Sequence, residues 1–333
     1  YKQMLRTGKK FSKPSLSRVI NGDVILSEKA EKKPRIRLDH VLVKLYPEYN
    51  RNTLQTFIKL GYVLVDNQSV SKPNTPLTEN SKIQLVLPKS LTDPTIKKQA
   101  ATKIKPPIIY EDENVLVVNK PAGLLSMAKG DYCLEPTLED FGMLVHRLDR
   151  DTSGIVILAK NSSTQTLLRK QFQDRKAHKT YFAIVEGRPK LDTALIDLPI
   201  ARNLKHPTTF IVEADGKESK TYYKIIQTKK FTKQDIQAVQ QQISQNSQFS
   251  GTEFKEGKTY SLIELKPTTG RTHQLRVHLK YLGTPIVGDR VYGTAKSDSN
   301  DRLYLHAKSL EITIPDGKRR IFNAPLPAEF EIF

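Results

Sequence analysis

The stretch "HRLDRDTSGIVILAK", His146–Lys160, joins two unlike halves. Its first nine residues, His146–Gly154, carry one His, two Arg, two Asp, a Thr, a Ser and a closing Gly. The apolar run "IVILA" follows, short enough and β-branched enough for a buried strand. A charged turn therefore leads directly into a core element. Two readings stand. One is a surface turn tied by an ion pair. The other is an active site whose carboxylate is held among basic groups. Ion-pair networks and catalytic carboxylates both produce this pattern.

Working outward, other strands recur around this one. "VLVVNKPAG" reads as a strand entering a Pro/Gly turn, and "TYFAIVEG" and "YSLIELKP" as further strands. Long helices are few between them. "SSTQTLLRKQFQDRK" is one, with Ser162 or Ser163 as its cap. "RTHQLRVHLKYLG" is another, ending at Gly283 with Leu275, Leu279 and Leu282 on its inner face and Arg and Gln presented outward. On that helix His273 and Arg276 share a side, as do Gln274 and His278. Strands with few intervening helices favour an α+β class with a mixed or antiparallel sheet.

Ahead of this domain lies a smaller α/β unit. "RLDHVLVKLY" sets Leu38, Val41, Leu42 and Leu45 on one helical face. "NRNTLQTFIKLG" reads as a helix capped at Asn50 or Asn52 and stopped at Gly61, and "YVLVDNQSV" as strand, turn, strand. The expected organisation is a flexible basic extension over 1–34, a small domain over 35–88, a linker over 89–106, and a large domain over 107–333. Residues 232–258, rich in Gln, Ser and Lys, read as an exposed insertion in the large domain.

The chain has 333 residues, 54 Lys and Arg against 35 Asp and Glu, and a net charge of +19. Such a surplus attracts polyanions, nucleic acid first and anionic membrane second. Cys133 is the single cysteine, which excludes an internal disulfide framework. No apolar run reaches the roughly 18 residues of a membrane span. Neither a secretory signal nor a membrane partner is expected. "GTEFKEGKT" imitates a phosphate-binding loop, but five residues separate its glycines and no apolar strand precedes it.

Read from the residues alone, Tyr181 is an ordinary strand aromatic or a stacking surface for a base. His146 and His273 read as hydrogen-bonded structural histidines before acid–base groups. At this point a family likeness becomes legible. "VHRLDRDTSGIVILAK" resembles the signature of the RluA-type RNA pseudouridine synthases, HRLD followed by two variable positions and TSG. "YEDENVLVVNKPAG", "KTYFAIVEG", "TTGRTHQLRVHLKYLGTPIVGDRVYG" and "LHAKSLEITIP" continue the likeness in order. "RLDHVLVKLYPEYNRNTLQTFIKLGYVLVDNQ" resembles an S4 RNA-binding domain.

The resemblance implies a pseudouridine synthase fold and an isomerase that converts uridine in RNA, with ribosomal RNA of the large subunit as the first expectation, to pseudouridine. It implies Asp149 as the catalytic aspartate, Tyr181 as the ring packing on the target base, Arg276 as the partner of Asp149, and Arg147 as the base-flipping arginine. It implies RNA contacts by Arg37, Arg51, Gln55 and Lys59 in the S4-like unit and by Arg271 and Gln274 in the larger one. It implies no cofactor, no metal and no obligate protein partner, and a cytoplasmic monomer acting on RNA. The alternatives are a synthase for tRNA and a catalytically silent RNA-binding or ribosome-assembly factor.

Overall fold

The computed structural model describes residues 19–20, 23–24, 36–78, 81–87, 105–128, 137–245, 254–295 and 301–333. Cys133, most of the 1–34 extension and of the 89–106 linker, and residues 246–253 lie outside them. Two compact units are distinguished, Tyr1–Leu87 and Pro88–Phe333.

In the first unit, β1 (Val19–Ile20) pairs with β2 (Asp23–Val24). β3 (Ile36–Arg37) leads into α1 (Leu38–Leu45) and α2 (Arg51–Lys59). β4 (Val63–Val65), β5 (Gln68–Ser69), β6 (Pro76–Leu77) and β7 (Ile83–Leu85) follow, in the sheets β5-β4-β7 and β3-β6. Asn50 caps α2 by accepting from Thr53 N at 3.0 Å, and Gly61 ends it at φ +77°. Asp66 and Asn67 both take positive φ, the conformation of a tight hairpin turn. Leu38, Leu42, Leu54, Phe57, Ile58 and Val63 are buried. Leu45 departs from the predicted face and is 53% exposed, because α1 ends there.

The second unit is built on a ten-stranded mixed sheet. Its strands are β8 (Ile108–Glu111), β9 (Val115–Lys120), β10 (Met143–Leu144), β11 (Ser153–Ala159), β12 (His178–Glu186), β13 (Thr193–Asp197), β16 (Lys220–Lys230), β17 (Thr259–Pro267), β18 (Leu305–Thr313) and β19 (Arg319–Asn323). β14 (Ile200–Arg202) and β15 (Phe210–Val212) form a separate hairpin. The order is β13-β16-β17-β12-β18-β11-β9-β8, with β10 on β11 and β19 on β18. β11 and β18 run parallel and the other pairs are antiparallel. Every residue of β11 is buried, as an apolar run in a central strand requires.

Among the described residues three α-helices accompany this sheet: α3 (Ser162–Gln173), α4 (Lys233–Gln245) and α5 (Gln274–Tyr281). The cap of α3 is Asn161, whose side chain accepts from Thr164 N at 2.9 Å, in place of the serines. The 232–258 segment is not simply exposed. It carries α4, whose Val239 and Ile243 are buried in the main core. Phe231 stacks on Phe254 beside it, ring centroids 4.6 Å apart. α5 also departs from its predicted two-sided pattern. Gln274 through Leu279 are all buried, while Leu282 is 38% exposed beyond the helix end.

Candidate active site

The turn before β11 is fixed along almost its whole backbone. Ser126 Oγ donates to Leu148 O at 2.8 Å and accepts from Leu148 N at 3.1 Å. Arg150 O accepts from Gly123 N and from Lys120 Nζ. Lys120 Nζ also donates to Leu124 O and Pro121 O. Burial pulls this lysine down to about 7, against the nearby carboxylates Asp151 and Asp149. Thr152 N donates to Asp149 O, and Arg302 Nη1 donates to Asp151 O. A turn this over-determined can hold a reactive side chain without further ordering on substrate binding.

Gly154 makes the placement possible. It sits at φ +114° where β11 meets β18. A Cβ there would collide with the carbonyl oxygen of Ala307 and stand 2.6 Å from its nitrogen. The turn is thereby seated at the centre of the sheet, next to the strand that neighbours Tyr181.

The Asp149 side chain is 23% exposed and opens into a cleft of about 140 Å³. Arg147, Lys179, Tyr181, Arg271, His273 and Arg276 line that cleft with it. Arg276 Nη1 donates to Asp149 Oδ2 at 3.2 Å. The remaining face of that guanidinium is bound by Asp289, with Nε to Oδ2 at 2.7 Å and Nη2 to Oδ1 at 2.8 Å. Burial pulls the Asp289 carboxyl upward, but the Arg276 hydrogen bonds and charge win and hold it below its usual range. Val291 N and Tyr292 N also donate to it. Tyr292 lies under the Arg276 guanidinium, 5.1 Å from ring centroid to Cζ.

His273 stands at the mouth of α5 with φ +57°, a left-handed conformation unusual outside glycine. Its Nε2 is 3.8 Å from Asp149 Oδ2, and its Nδ1 is 2.8 Å from the Tyr292 hydroxyl. Burial lowers its proton affinity, and the Asp149 charge opposes this. His146 is further from the chemistry. It stacks on Phe172 and accepts from Ile157 N at 3.1 Å, and desolvation holds it down to about 3. It is a neutral structural group. Asp151, the second acid of the turn, pairs with Arg290 at 2.8 Å.

Tyr181 is buried, with burial and the Asp149 charge together raising the pKa of its hydroxyl. Its ring therefore stays a neutral surface beside the carboxylate. Arg147 is exposed at the rim and reaches Met127 Sδ at 3.4 Å. Arg271 also lines the cleft, with Nε donating to Glu218 O at 3.0 Å. Gln274 corrects the outward reading. It is buried, accepts from Thr269 Oγ1 and Arg271 N, and donates to Lys220 O and Thr221 Oγ1. Its amide is committed to tying α5 to the end of β16, leaving no free donor for RNA. Arg276 likewise points inward, buried with its guanidinium on Asp289 and Asp149.

In the first unit, Arg37, Arg51 and Gln55 converge on the buried Asp39. Arg37 Nε donates at 3.0 Å, Arg51 Nη2 at 2.8 Å and Gln55 Nε2 at 2.7 Å. Burial alone would raise the Asp39 pKa; the three donors drive it well below the ordinary carboxylate range. Both arginine side chains stay about half exposed, and Lys59 is exposed.

The family model described as RNA pseudouridylate synthase matches residues 114–281, and the S4 domain model matches residues 36–83. The chain belongs to the RNA pseudouridylate synthases, which isomerise uridine in RNA to pseudouridine. A Chloroflexus aurantiacus protein named as an RNA pseudouridine synthase is 35% identical to it, covering 89% of this chain and 88% of that one. The ribosomal large subunit pseudouridine synthase D of Borreliella burgdorferi is 37% identical, covering 68% and 67%. The structure of human RNA pseudouridylate synthase domain containing 1 matches with a TM-score of 0.53 and 27% identity, over 67% of this chain and 84% of that one. The synthase thus combines an S4 domain with the mixed-sheet domain that carries the cleft.

Sequence reasoning missed Asp289, Lys120, Lys179 and Arg302. Asp289 lay inside the quoted block "VGDRVYG", but nothing in its spacing from Arg276 marks the pair. Lys120 and Arg302 are recognisable only through the distant carbonyls they bind.

Proposed function

We propose that Asp149 is the catalytic carboxylate of this synthase and that its substrate is RNA of the large ribosomal subunit. The observation that carries the first part is the Arg276–Asp149 pair, 3.2 Å, at a cleft lined by Tyr181. An arginine partner keeps a carboxylate ionised and aimed. From that position Asp149 attacks C1′ or removes a proton from the ribose while the N-glycosidic bond breaks. The uracil turns and C5 bonds to C1′, which releases Asp149 from C1′ in the first route or is accompanied by return of the ribose proton in the second, and the C5 proton is lost as N1 gains one. Atoms and electrons balance without a cofactor. The target base must leave its stack to reach the cleft. Tyr181 offers it a ring, and Arg147 at the rim can fill the space it vacates.

The ribosomal substrate is supported by the name of the Borreliella burgdorferi relative, a large-subunit synthase, and by the S4 domain. Arg37, Arg51 and Lys59 would contact phosphate, setting position more than sequence. With a chain charge of +19, binding weakens as salt rises. A cytoplasmic monomer belongs to the same reading; among the described residues no helix is long and apolar enough to cross a membrane.

The test is Asp149→Asn. It should fold, bind RNA and release no tritium from RNA labelled at uridine C5. Turnover retained by this variant would overturn the assignment. Mapping pseudouridines in a deletion strain then checks the RNA: loss at tRNA sites alone would replace the ribosomal substrate.

A further inference from the structure

Lys179 is a cation in the cleft that the mechanism above leaves without a task. It lies on β12 two residues before Tyr181, and both side chains line the same cleft. Its ammonium reaches across to the loop before α5, where a Cβ built on Gly270 would stand 3.6 Å from Nζ. Among the described residues Nζ makes no hydrogen bond and no ion pair. The other cleft cations differ. Arg276 is bound by two carboxylates, and Arg271 donates to a carbonyl. Arg147 is exposed to water at the rim. Lys179 is half-buried, and burial lowers its proton affinity. A desolvated ammonium without a partner is costly, so the fold keeps it at a standing disadvantage.

The charge balance of the cleft shows where an unpaired cation is useful. Asp149 and Asp289 together set two negative charges against the one positive charge of Arg276. Breaking the C1′–N1 bond leaves the bonding pair on the uracil ring, spread over N1, O2 and O4. This anion forms beside that net-negative trio, and of the other cleft cations Arg271 is turned to a carbonyl and Arg147 stands at the exposed rim. A fixed cation facing it lowers the barrier, since groups aimed at developing charge in a desolvated site act most strongly in the transition state.

We propose that Lys179 is a catalytic residue of the isomerisation, its ammonium stabilising the negative charge that develops on the departing uracil. The proposal rests on the active-site reading above. It favours the base over a phosphate because Lys179 shares its strand with Tyr181 and is only partly exposed, whereas Arg147 sits at the exposed rim.

The experiment compares wild type with Lys179→Met in single-turnover reactions on two transcripts of large-subunit ribosomal RNA. One contains uridine and the other 5-fluorouridine, and the rate read on both is loss of the starting nucleoside, because fluorine at C5 leaves no proton to lose and the rearranged base stops at the C5-linked stage. Fluorine stabilises the uracil anion, so the fluorinated base needs less help in leaving. Lys179→Met should slow uridine conversion by about 10²–10³-fold, the usual loss for one such group. Its defect on 5-fluorouridine should be at least ~10-fold smaller, since the substrate now supplies part of that stabilisation. Lys179→Arg should recover part of the uridine rate, and transcript Kd should change little. Equal slowing on both transcripts would overturn the proposal. So would a loss confined to Kd with a shallower salt dependence, which marks a phosphate contact. If Lys179→Met melts early, Lys179→Gln keeps the stem and is read by the same ratio. A wild-type enzyme that converts neither transcript would count against the proposed activity; an active wild type matched by Lys179→Met would count against Lys179 alone.

Discussion

Asp289 grips Arg276 through two hydrogen bonds of 2.7 and 2.8 Å, while the same guanidinium reaches Asp149 through one of 3.2 Å. The buried acid is the main anchor and the cleft acid the lesser one. Arg276 is therefore aimed at Asp149 by a residue that does not itself line the cleft. This makes Asp289 a positioning residue. Asp289→Asn removes one charge from a buried pair, which typically costs about 3–5 kcal/mol when the partner charge is left behind. Here Asp149 remains as a second partner, so the expected loss is at the lower end. Because a small misplacement of a reacting group costs about 10²-fold, kcat should fall by that order with KM little changed. The Arg276→Lys/Asp289→Asn double variant should be no slower than Arg276→Lys, since Asp289 acts through that guanidinium. Additive losses would mean that Asp289 acts independently.

Gly154 offers a purely structural test of how the turn is seated. Alanine there meets both a positive φ and the Ala307 backbone. The destabilisation should exceed about 1 kcal/mol, the usual scale for a non-glycine residue forced to positive φ. In a domain of this size that is a drop of at least about 2–4 °C in Tm. Calorimetry on the full chain checks it. An unchanged Tm would mean that β11 and β18 can separate without loss.

Tyr181 separates ring from hydroxyl. The ring is buried against the sheet and lines the cleft, and its hydroxyl stays protonated beside Asp149. Tyr181→Phe keeps the stacking surface, so RNA affinity should change by less than about threefold, against the roughly 1–3 kcal/mol that loss of a stacked ring costs. Tyr181→Ala should show that larger loss in filter binding. A large binding defect in Tyr181→Phe would assign the contact to the hydroxyl.

The strands were readable because buried β-branched runs such as "IVILA" leave few alternatives, and the turn because its charged residues crowd between two apolar segments. α5 was misread because its polar residues are satisfied by partners far away in sequence. Gln274 bonds to the end of β16, and His278 Nε2 lies 3.0 Å from Leu198 O. Periodicity treats such residues as solvent-facing. The 232–258 segment failed for a different reason. Ile236, Val239 and Ile243 do carry a helical spacing, but the Gln- and Ser-rich composition around them hides it.

Asp39 gives the N-terminal unit a defined acid response. Its folded pKa lies below the ordinary 3.8, held there by Arg51, Arg37 and Gln55 against the pull of burial. As pH falls, the unfolded chain therefore takes up the proton first. The stabilising contribution is complete above about pH 5, where an unfolded aspartate is almost fully ionised, and is lost as pH drops toward the folded value. Two partner arginines remain half exposed, so salt weakens the effect. Asp39→Asn should remove this acid dependence from the unit. It should also lower stability at neutral pH, because Arg37 and Arg51 then repel without a shared counter-charge. The check is tryptic release of the N-terminal unit from the intact chain, pre-incubated between pH 3 and 7 and assayed in a brief pulse at neutral pH. Release from wild type should rise on the acid side, while Asp39→Asn is cut faster throughout and changes little with pH. Matching profiles for the two proteins would mean that other carboxylates govern the acid response and that the Asp39 cluster serves chiefly to space the two arginines.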